Sequence, residues 1–265
     1  ETIQYLKDYG FSDRMIQSFF KPFFGGIFLE AGLRTSSRMF EFTFKMFSEG
    51  YAAIPASGIG EIAKQLAEGL NKTEIRFNTP VARVTLESVV LGDGTALPSR
   101  ATLITVPLNP ETGELQESMV TWERCDNLYF TVTKRSFEES VIALVEDPDA
   151  LINNLYFPYS QQVACNPVLS VTVVKEHSLT TEALIQKVEK DLERYCGLKV
   201  NSFLKHYPIE KALPRREEFR MRLPETRSPK LDKVFLAGDY LLNGSLNAAM
   251  ASGEAAAEAV ARELA

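Results

Sequence analysis

The chain is poor in the residues that most often announce chemistry. It has two histidines, three cysteines and one tryptophan in 265 residues. Neither His177 nor His206 has a Cys, His or carboxylate at metal-ligand spacing, so no metal site is expected. A lone His beside a Tyr, as at His206-Tyr207, reads as structural more readily than as a group near a cofactor. There is no Gly-x-Ser-x-Gly and no plausible Ser, His and Asp set, which argues against a serine hydrolase. No residue stands out as a catalytic acid or base. Cys125, Cys165 and Cys196 are odd in number and widely spaced, with no CxxC, so a reduced, cytoplasmic-type compartment is expected. No run approaches the roughly 18–20 apolar residues that span a bilayer, and no signal peptide is recognisable. Basic residues do not prevail: 29 Lys and Arg face 35 Asp and Glu, a net charge of −6. That argues against a nucleic-acid partner and gives no electrostatic pull towards anionic membranes.

What is present is the mix of a soluble globular protein, 45% hydrophobic and 24% charged. The length suits one large or two ordinary domains. The most informative stretch is near the end. An apolar strand, Val234-Phe235-Leu236-Ala237, runs into Gly238-Asp239-Tyr240. Asn243-Gly244-Ser245 follows and then a helix of small residues through Ala257. Small residues let backbones approach closely. A helix start offers free N–H groups and a positive dipole end, which suit a phosphate or an electron-rich ring. Asp239 lies at the carboxyl end of the strand, where open α/β sheets bind ligands. A plain packing element reads the same way on strand and helix alone, so the order of Gly-Asp, Gly-Ser and small residues carries the functional reading.

Residues 1–50 read as helical, with a break at Gly10 and a cap at Ser12 or Asp13. Two glycines break the aromatic stretch Lys21–Glu30, and Thr35-Ser36-Ser37 caps a further helix over Arg38–Ser48. Phenylalanine concentrates here, as core or as the wall of an apolar cavity. Residues 75–107 change to strand period. Ile75–Phe77, Val81–Leu86, Val89–Leu91, Leu97 and Leu103–Pro107 are expected to make a small antiparallel sheet, with a hairpin at Gly92-Asp93-Gly94. Further strands are expected at 128–132, 141–145, 155–157 and 168–174, with turns at Asp147–Asp149 and Cys165–Pro167. Ser178–Cys196 is a helix capped by Thr180 or Thr181 and stopped by Gly197. Arg215–Arg222 reads as a solvated loop.

These patches resemble, in order, the flavin-dependent amine oxidase, phytoene desaturase and protoporphyrinogen oxidase superfamily. The resemblance rests on residues 234–257, the Pro80–Pro107 segment and residues 19–30. Enzymes of that superfamily begin with a strand, a GxGxxG turn and an acidic residue. The nearest match, Gly58-Ile59-Gly60-Glu61-Ile62-Ala63, follows no strand and opens an amphipathic helix. It looks instead like the family's internal Pro-x-Gly-Gly-type segment. The chain, opening on Glu1, is therefore expected to be the C-terminal part of a longer flavoprotein.

The resemblance implies an α+β fold of two interleaved domains: an α/β remnant of a cofactor domain, and a substrate domain of mixed sheet and helices. Residues 1–70 and 111–205 would form the substrate domain; 71–110 and 206–265, with an aromatic-x-x-Ala-x-Pro link at 206–214, would form the cofactor domain. The implied cofactor is FAD. Its contacts would be Gly238 at the turn and the backbone of Val81 at the adenine edge. Asp239 would bind the ribityl or pyrophosphate region, and the backbone of Ser245, Leu246 and Asn247 would face the isoalloxazine. The implied reaction is FAD-dependent oxidation, with hydride passing to flavin from an apolar substrate such as a polyene or tetrapyrrole. The alternatives are oxidation of a C–N bond, or a non-catalytic fragment that only binds. Expected partners are a small apolar substrate, the missing N-terminal portion and a peripheral membrane surface. Weak FAD retention and an apolar docking face are expected of residues 1–265 alone.

Overall fold

A computed structural model describes residues 1–51, 53–107, 120–138, 141–158, 162–163 (backbone), 166–215, 222–223, 226–228 and 231–265. The chain has the expected α+β character and divides into two compact units, each built from separated segments. The first is Glu1–Phe40, Val120–Arg220 and Asn243–Ser245; the second is Glu41–Met119, Met221–Leu242 and Leu246–Ala265. These limits differ from those read in the sequence at 41–70, 206–220 and 243–245. A cut at 205/206 would sever one continuous strand, and the 110/111 limit lies outside the described residues.

In the first unit, α1 (Thr2–Asp8), α2 (Asp13–Met15), a π-helical turn (Ile16–Phe20) and α3 (Lys21–Phe28) pack around aromatic rings. Ser12 caps α2 by accepting from the Met15 N–H at 3.2 Å. Phe20, Phe24 and Phe28 are buried with Leu6, Ile16, Leu33 and Phe40, the last from the start of α4 (Ser37–Glu49). Phe24 and Phe40 rings lie 4.6 Å apart, and each such pair adds about 0.5–1.5 kcal/mol beyond the area it buries. These rings are core. Gly25 and Gly26 do not break α3. They let it press on the sheet: a Cβ at Gly26 would fall 2.7 Å from Asn153 Nδ2. Asn153 Nδ2 in turn donates to Pro22 O at 2.9 Å.

The sheet of this unit runs β10-β5-β9-β7-β6, with β8 (Gln162–Val163) on β9. Its strands are β5 (Trp122–Val132), β6 (Ile142–Leu144), β7 (Ile152–Tyr156), β9 (Asn166–Val173) and β10 (Val200–Pro214). Side chains alternate between faces. Leu128, Phe130, Val132, Leu169, Val171 and Val173 pack under Leu184, Val188 and Leu192 of α6 (Thr181–Cys196). Thr180 caps α6 and Gly197, at φ 62°, ends it. The segment read as a 206–214 link is instead the second half of β10, paired along β5.

In the second unit β1 (Val81–Val84), β2 (Ser88–Leu91) and β3 (Ala96–Pro98) form an antiparallel meander, and the hairpin glycine Gly94 has φ 87°. Ile75–Phe77 is not a strand; Phe77 is 81% exposed. β4 (Thr102–Ile104) does not join the meander either. It pairs in parallel with β11 (Val234–Leu236), Thr102 opposite Val234. The unit also holds α4 from Glu41 on, α5 (Gly60–Glu68), a 3-10 turn (Asp239–Leu241) and α7 (Leu246–Leu264). Val84, Ile104 and Val234 are its small core, with Val81 and Leu236 against them. No described helix is long and apolar enough to cross a membrane.

Candidate functional site

The strand end of β11 is pinned from two sides. Ala237 N–H donates to Ile104 O at 2.8 Å, extending the parallel ladder by one residue. Gly238 N–H then donates to Ser252 Oγ at 2.8 Å, and that hydroxyl donates to Ala249 O at 2.9 Å. Ser252 is fully buried, on the same face of α7 as Ala248 and Ala256. The small residues bring the helix against the strand, as their size suggests. Gly238 has φ 145° and ψ 156°, a combination open essentially to glycine. A Cβ there would lie 2.3 Å from the Tyr240 ring. Tyr240 OH holds Val106 O at 3.2 Å, so the turn is tied back to the end of β4.

Asp239 opens the 3-10 turn at the carboxyl end of β11 and is half-buried. Val81 packs on the same apolar cluster as β4 and β11, at a bulge between Val81 and Arg83. Leu246 and Asn247 are exposed in the first turn of α7, which contains no acidic residue. Five of the six residues singled out in the sequence thus lie in one compact unit. Ser245 groups with the other. Its hydroxyl donates to Asn243 Oδ1 at 2.7 Å. Beside it, a Cβ at Gly244 would stand 2.6 Å from Leu213 Cδ1, so this loop packs on the end of β10.

The family model of flavin containing amine oxidoreductases matches residues 1–261. The chain belongs to that family. That family is one of FAD-dependent oxidoreductases. An oxidoreductase of Methanosarcina mazei has the same fold at TM-score 0.70 and 12% identity, over 96% of this chain and 67% of the other. The fatty acid isomerase of P. acnes that produces CLA matches at TM-score 0.58 and 15% identity, over 78% of this chain and 52% of its own. A redesigned putrescine oxidase matches at 0.55 and 14%, over 78% and 53%. The chain spans from about half to two thirds of the length of these structures. No curated protein matches by sequence.

The donor set of a flavin containing amine oxidoreductase can be tested against these residues. The start of a 19-residue helix without first-turn acid offers amide N–H groups and a positive end to an electron-rich ring. A half-buried carboxylate at Asp239 is the acceptor a ribityl hydroxyl needs. Both fit the redox end of FAD. The Gly58–Gly60 turn, with Gly58 at φ 97°, opens α5 rather than following a strand, so it does not fit the pyrophosphate cradle of a dinucleotide fold.

Sequence reasoning missed a second constellation, in the first unit. Asp126 on β5 lies between two imidazoles. His206 Nε2 on β10 is 2.6 Å from Oδ1, and His177 Nε2, between β9 and α6, is 3.1 Å from Oδ2. A carboxylate accepts only, so both rings carry the proton on Nε2. His177 Nδ1 then accepts from Leu179 N–H at 3.4 Å. The three side chains are at most one-fifth exposed. They line a cavity of about 210 Å³ with Arg124, Cys125, Lys175 and Glu210. Burial, then the Asp126 charge, pushes the Cys125 thiol up. Among the described residues no group of His, Cys, Asp or Glu is set to hold a metal. The cluster joins residues 51 and 80 positions apart, and no local pattern announces it.

Proposed function

We propose that the protein oxidises a largely apolar substrate of polyene or tetrapyrrole type, passing a hydride to FAD. The reading rests on the sheet face opposite α6. Asn127, Tyr129, Tyr156, Ser170, Thr172 and Tyr207 share that face through their cross-strand pairing. Asn127 Nδ2 donates to Ser170 Oγ at 3.3 Å and to Thr172 Oγ1 at 3.2 Å. The Tyr129 and Tyr207 rings meet edge to face at 5.9 Å. Burial holds the Tyr129 phenol above its usual range, so it stays a neutral donor. Ser170 is buried beneath it, and the partly open part of the face is made of the three tyrosines with Asn127 and Thr172, suited to a flat, largely apolar molecule.

Charge points the same way. A cation on this face, Lys205 Nζ, sits 5.7 Å over the Tyr207 ring, and would repel a protonated amine. The acid on the same face of β5, Glu123, is already paired with Arg215 at 3.0 Å. When bound, FAD would supply the acceptor for a hydride from a substrate C–H bond, the second proton of the oxidised bond being lost to solvent. The chain's own part is to orient the substrate and keep the helix start of α7 towards the ring. Localisation in the cytoplasm remains part of this proposal, from the cysteine pattern.

The test is anaerobic mixing of the FAD-loaded protein with a polyene, a tetrapyrrole and a hydrophilic primary amine. Bleaching of the flavin by the first or second, and none by the amine, is expected. Bleaching by the amine alone overturns the reading in favour of C–N oxidation.

A further inference from the structure

Glu123 stands near the start of β5, on the face that carries Asn127 and Tyr129. Leu213 of β10 lies directly across from it, so the two side chains share that face with their Cβ atoms about 4.5–5.5 Å apart. Leu213 is also the residue on which the next segment packs. A Cβ at Gly244 would stand 2.6 Å from Leu213 Cδ1 and 3.1 Å from Pro214 Cδ. Asn243–Ser245 groups with the same compact unit as both strands. Glu123 is therefore one side chain away from the loop whose Ser245 is read as facing the isoalloxazine.

The surroundings give this carboxyl an unusual character. Its side chain is 19% exposed. Burial raises it most, Arg215 and Arg34 pull it down, and Glu30 and Glu176 push it up, so that it is held above the usual carboxylate range. Glu30 is buried and already committed: it accepts from the Thr35 N–H at 2.6 Å and from Arg34 Nε at 3.4 Å. Glu123 meets only the guanidinium of Arg215, at 3.0 Å, and that side chain is 39% exposed. When Glu123 takes a proton, water can solvate the freed Arg215. A carboxylate of raised basicity with such a partner is suited to accept a proton and give it up again.

We propose that Glu123 is the catalytic base of the oxidation. The inference rests on the reading above, with FAD at the start of α7 and a largely apolar substrate on this face. A hydride leaves a substrate C–H bond with both bonding electrons, and these two electrons reach FAD. The cation left on the substrate is spread over its conjugated system, which makes a hydrogen on the neighbouring atom acidic. The electrons of that second bond form the new double bond as its proton passes to a Glu123 carboxylate oxygen. Before that transfer the ionised carboxylate faces the developing positive charge and stabilises it. The proton then leaves for solvent on the Arg215 side.

The test uses the protein as the cell makes it, with FAD in excess, beside Glu123→Gln and Glu123→Asp. Two quantities are read from about pH 4 to 9, a span that covers the ordinary carboxylate range and the region above it. One is the rate of anaerobic flavin bleaching by the polyene or the tetrapyrrole. The other is the flavin absorbance without substrate. The wild-type rate should rise with pH and level off, because the ionised form is the base. Glu123→Gln should be about a hundredfold slower or more, with that rise gone, and Glu123→Asp should regain about a tenth of the wild-type rate or more. The absorbance should change over the same pH interval as the rate, and stay flat in Glu123→Gln. A Gln variant that keeps the wild-type rate, or is slowed equally at every pH, overturns the proposal. So does an absorbance change with pH that the Gln variant retains. Bleaching by neither probe sinks the substrate reading, and the absorbance titration alone then decides whether Glu123 stands at the ring.

Discussion

Replacing Gly238 with alanine probes the turn that holds the candidate flavin site together. Two costs add. At φ 145° and ψ 156° a residue with a Cβ is strained by about 1–3 kcal/mol. The new Cβ would also stand 2.3 and 2.6 Å from two carbons of the Tyr240 ring. Tyr240 is 93% buried, since 7% of it is exposed, and its hydroxyl is held at Val106 O. The ring must therefore move or the turn must open, at about 1–3 kcal/mol for over-packing. Gly238→Ala should cost about 2–6 kcal/mol in all. Urea unfolding followed by far-UV circular dichroism measures it, with Tyr240→Ala as a second background. Without the ring the same substitution should cost only the backbone share of about 1–3 kcal/mol. A Gly238→Ala protein as stable as the wild type refutes the backbone argument. An equal cost in both backgrounds refutes the overlap with Tyr240.

Two further substitutions test the first unit. Asp126→Ala leaves two largely shielded imidazole N–H groups without an acceptor and should destabilise by about 2–4 kcal/mol. Asp126→Asn, which keeps one carbonyl acceptor, should cost less, and nitrogen chemical shifts of His177 and His206 should show the proton on Nε2 in the wild type. A tautomer with Nδ1 protonated in both rings contradicts the cluster. Burial, with Asp191 adding to it, pushes the Cys196 thiol from 9.0 up to about 11. The folded state therefore keeps a proton that the unfolded chain loses. Stability is fully present below pH 9 and falls as pH rises towards 11. Cys196→Ser should flatten that slope in denaturant titrations, and an unchanged slope refutes the assignment.

Local signals were the readable ones. α6 carries its cap at Thr180, its stripe at Leu184, Val188 and Leu192 and its stop at Gly197, all within one stretch. The hairpin at 92–94 is equally self-contained. The strand–turn–helix order at 234–264 is visible for the same reason. What stayed hidden depends on distant chain. Among the described residues β10 pairs only with β5, and it is largely exposed, so its alternation is masked by Lys205, Tyr207, Glu210 and Lys211. β4 looks like a fourth strand of a meander until its parallel partner β11 is known. Gly25 and Gly26 look like breakers because Asn153, which they approach, is remote in sequence. The phenylalanines could not be divided between core and cavity until Phe40 was seen to close the cluster around Phe24. The Asp126 cluster was invisible for the same reason. Within the candidate site, residue types and order were legible, but the grouping of Ser245 apart from Leu246 was not.

We propose that FAD is held at Gly238, Asp239 and the start of α7. The direct measurement is the visible absorbance spectrum of the protein as the cell makes it, after gel filtration, beside Asp239→Ala. Flavin bands should co-elute with the wild type, and be lost or weakened at least tenfold in the variant while circular dichroism is unchanged. A colourless wild type that also fails to retain added FAD contradicts it. Equal flavin content in both proteins contradicts the role of Asp239.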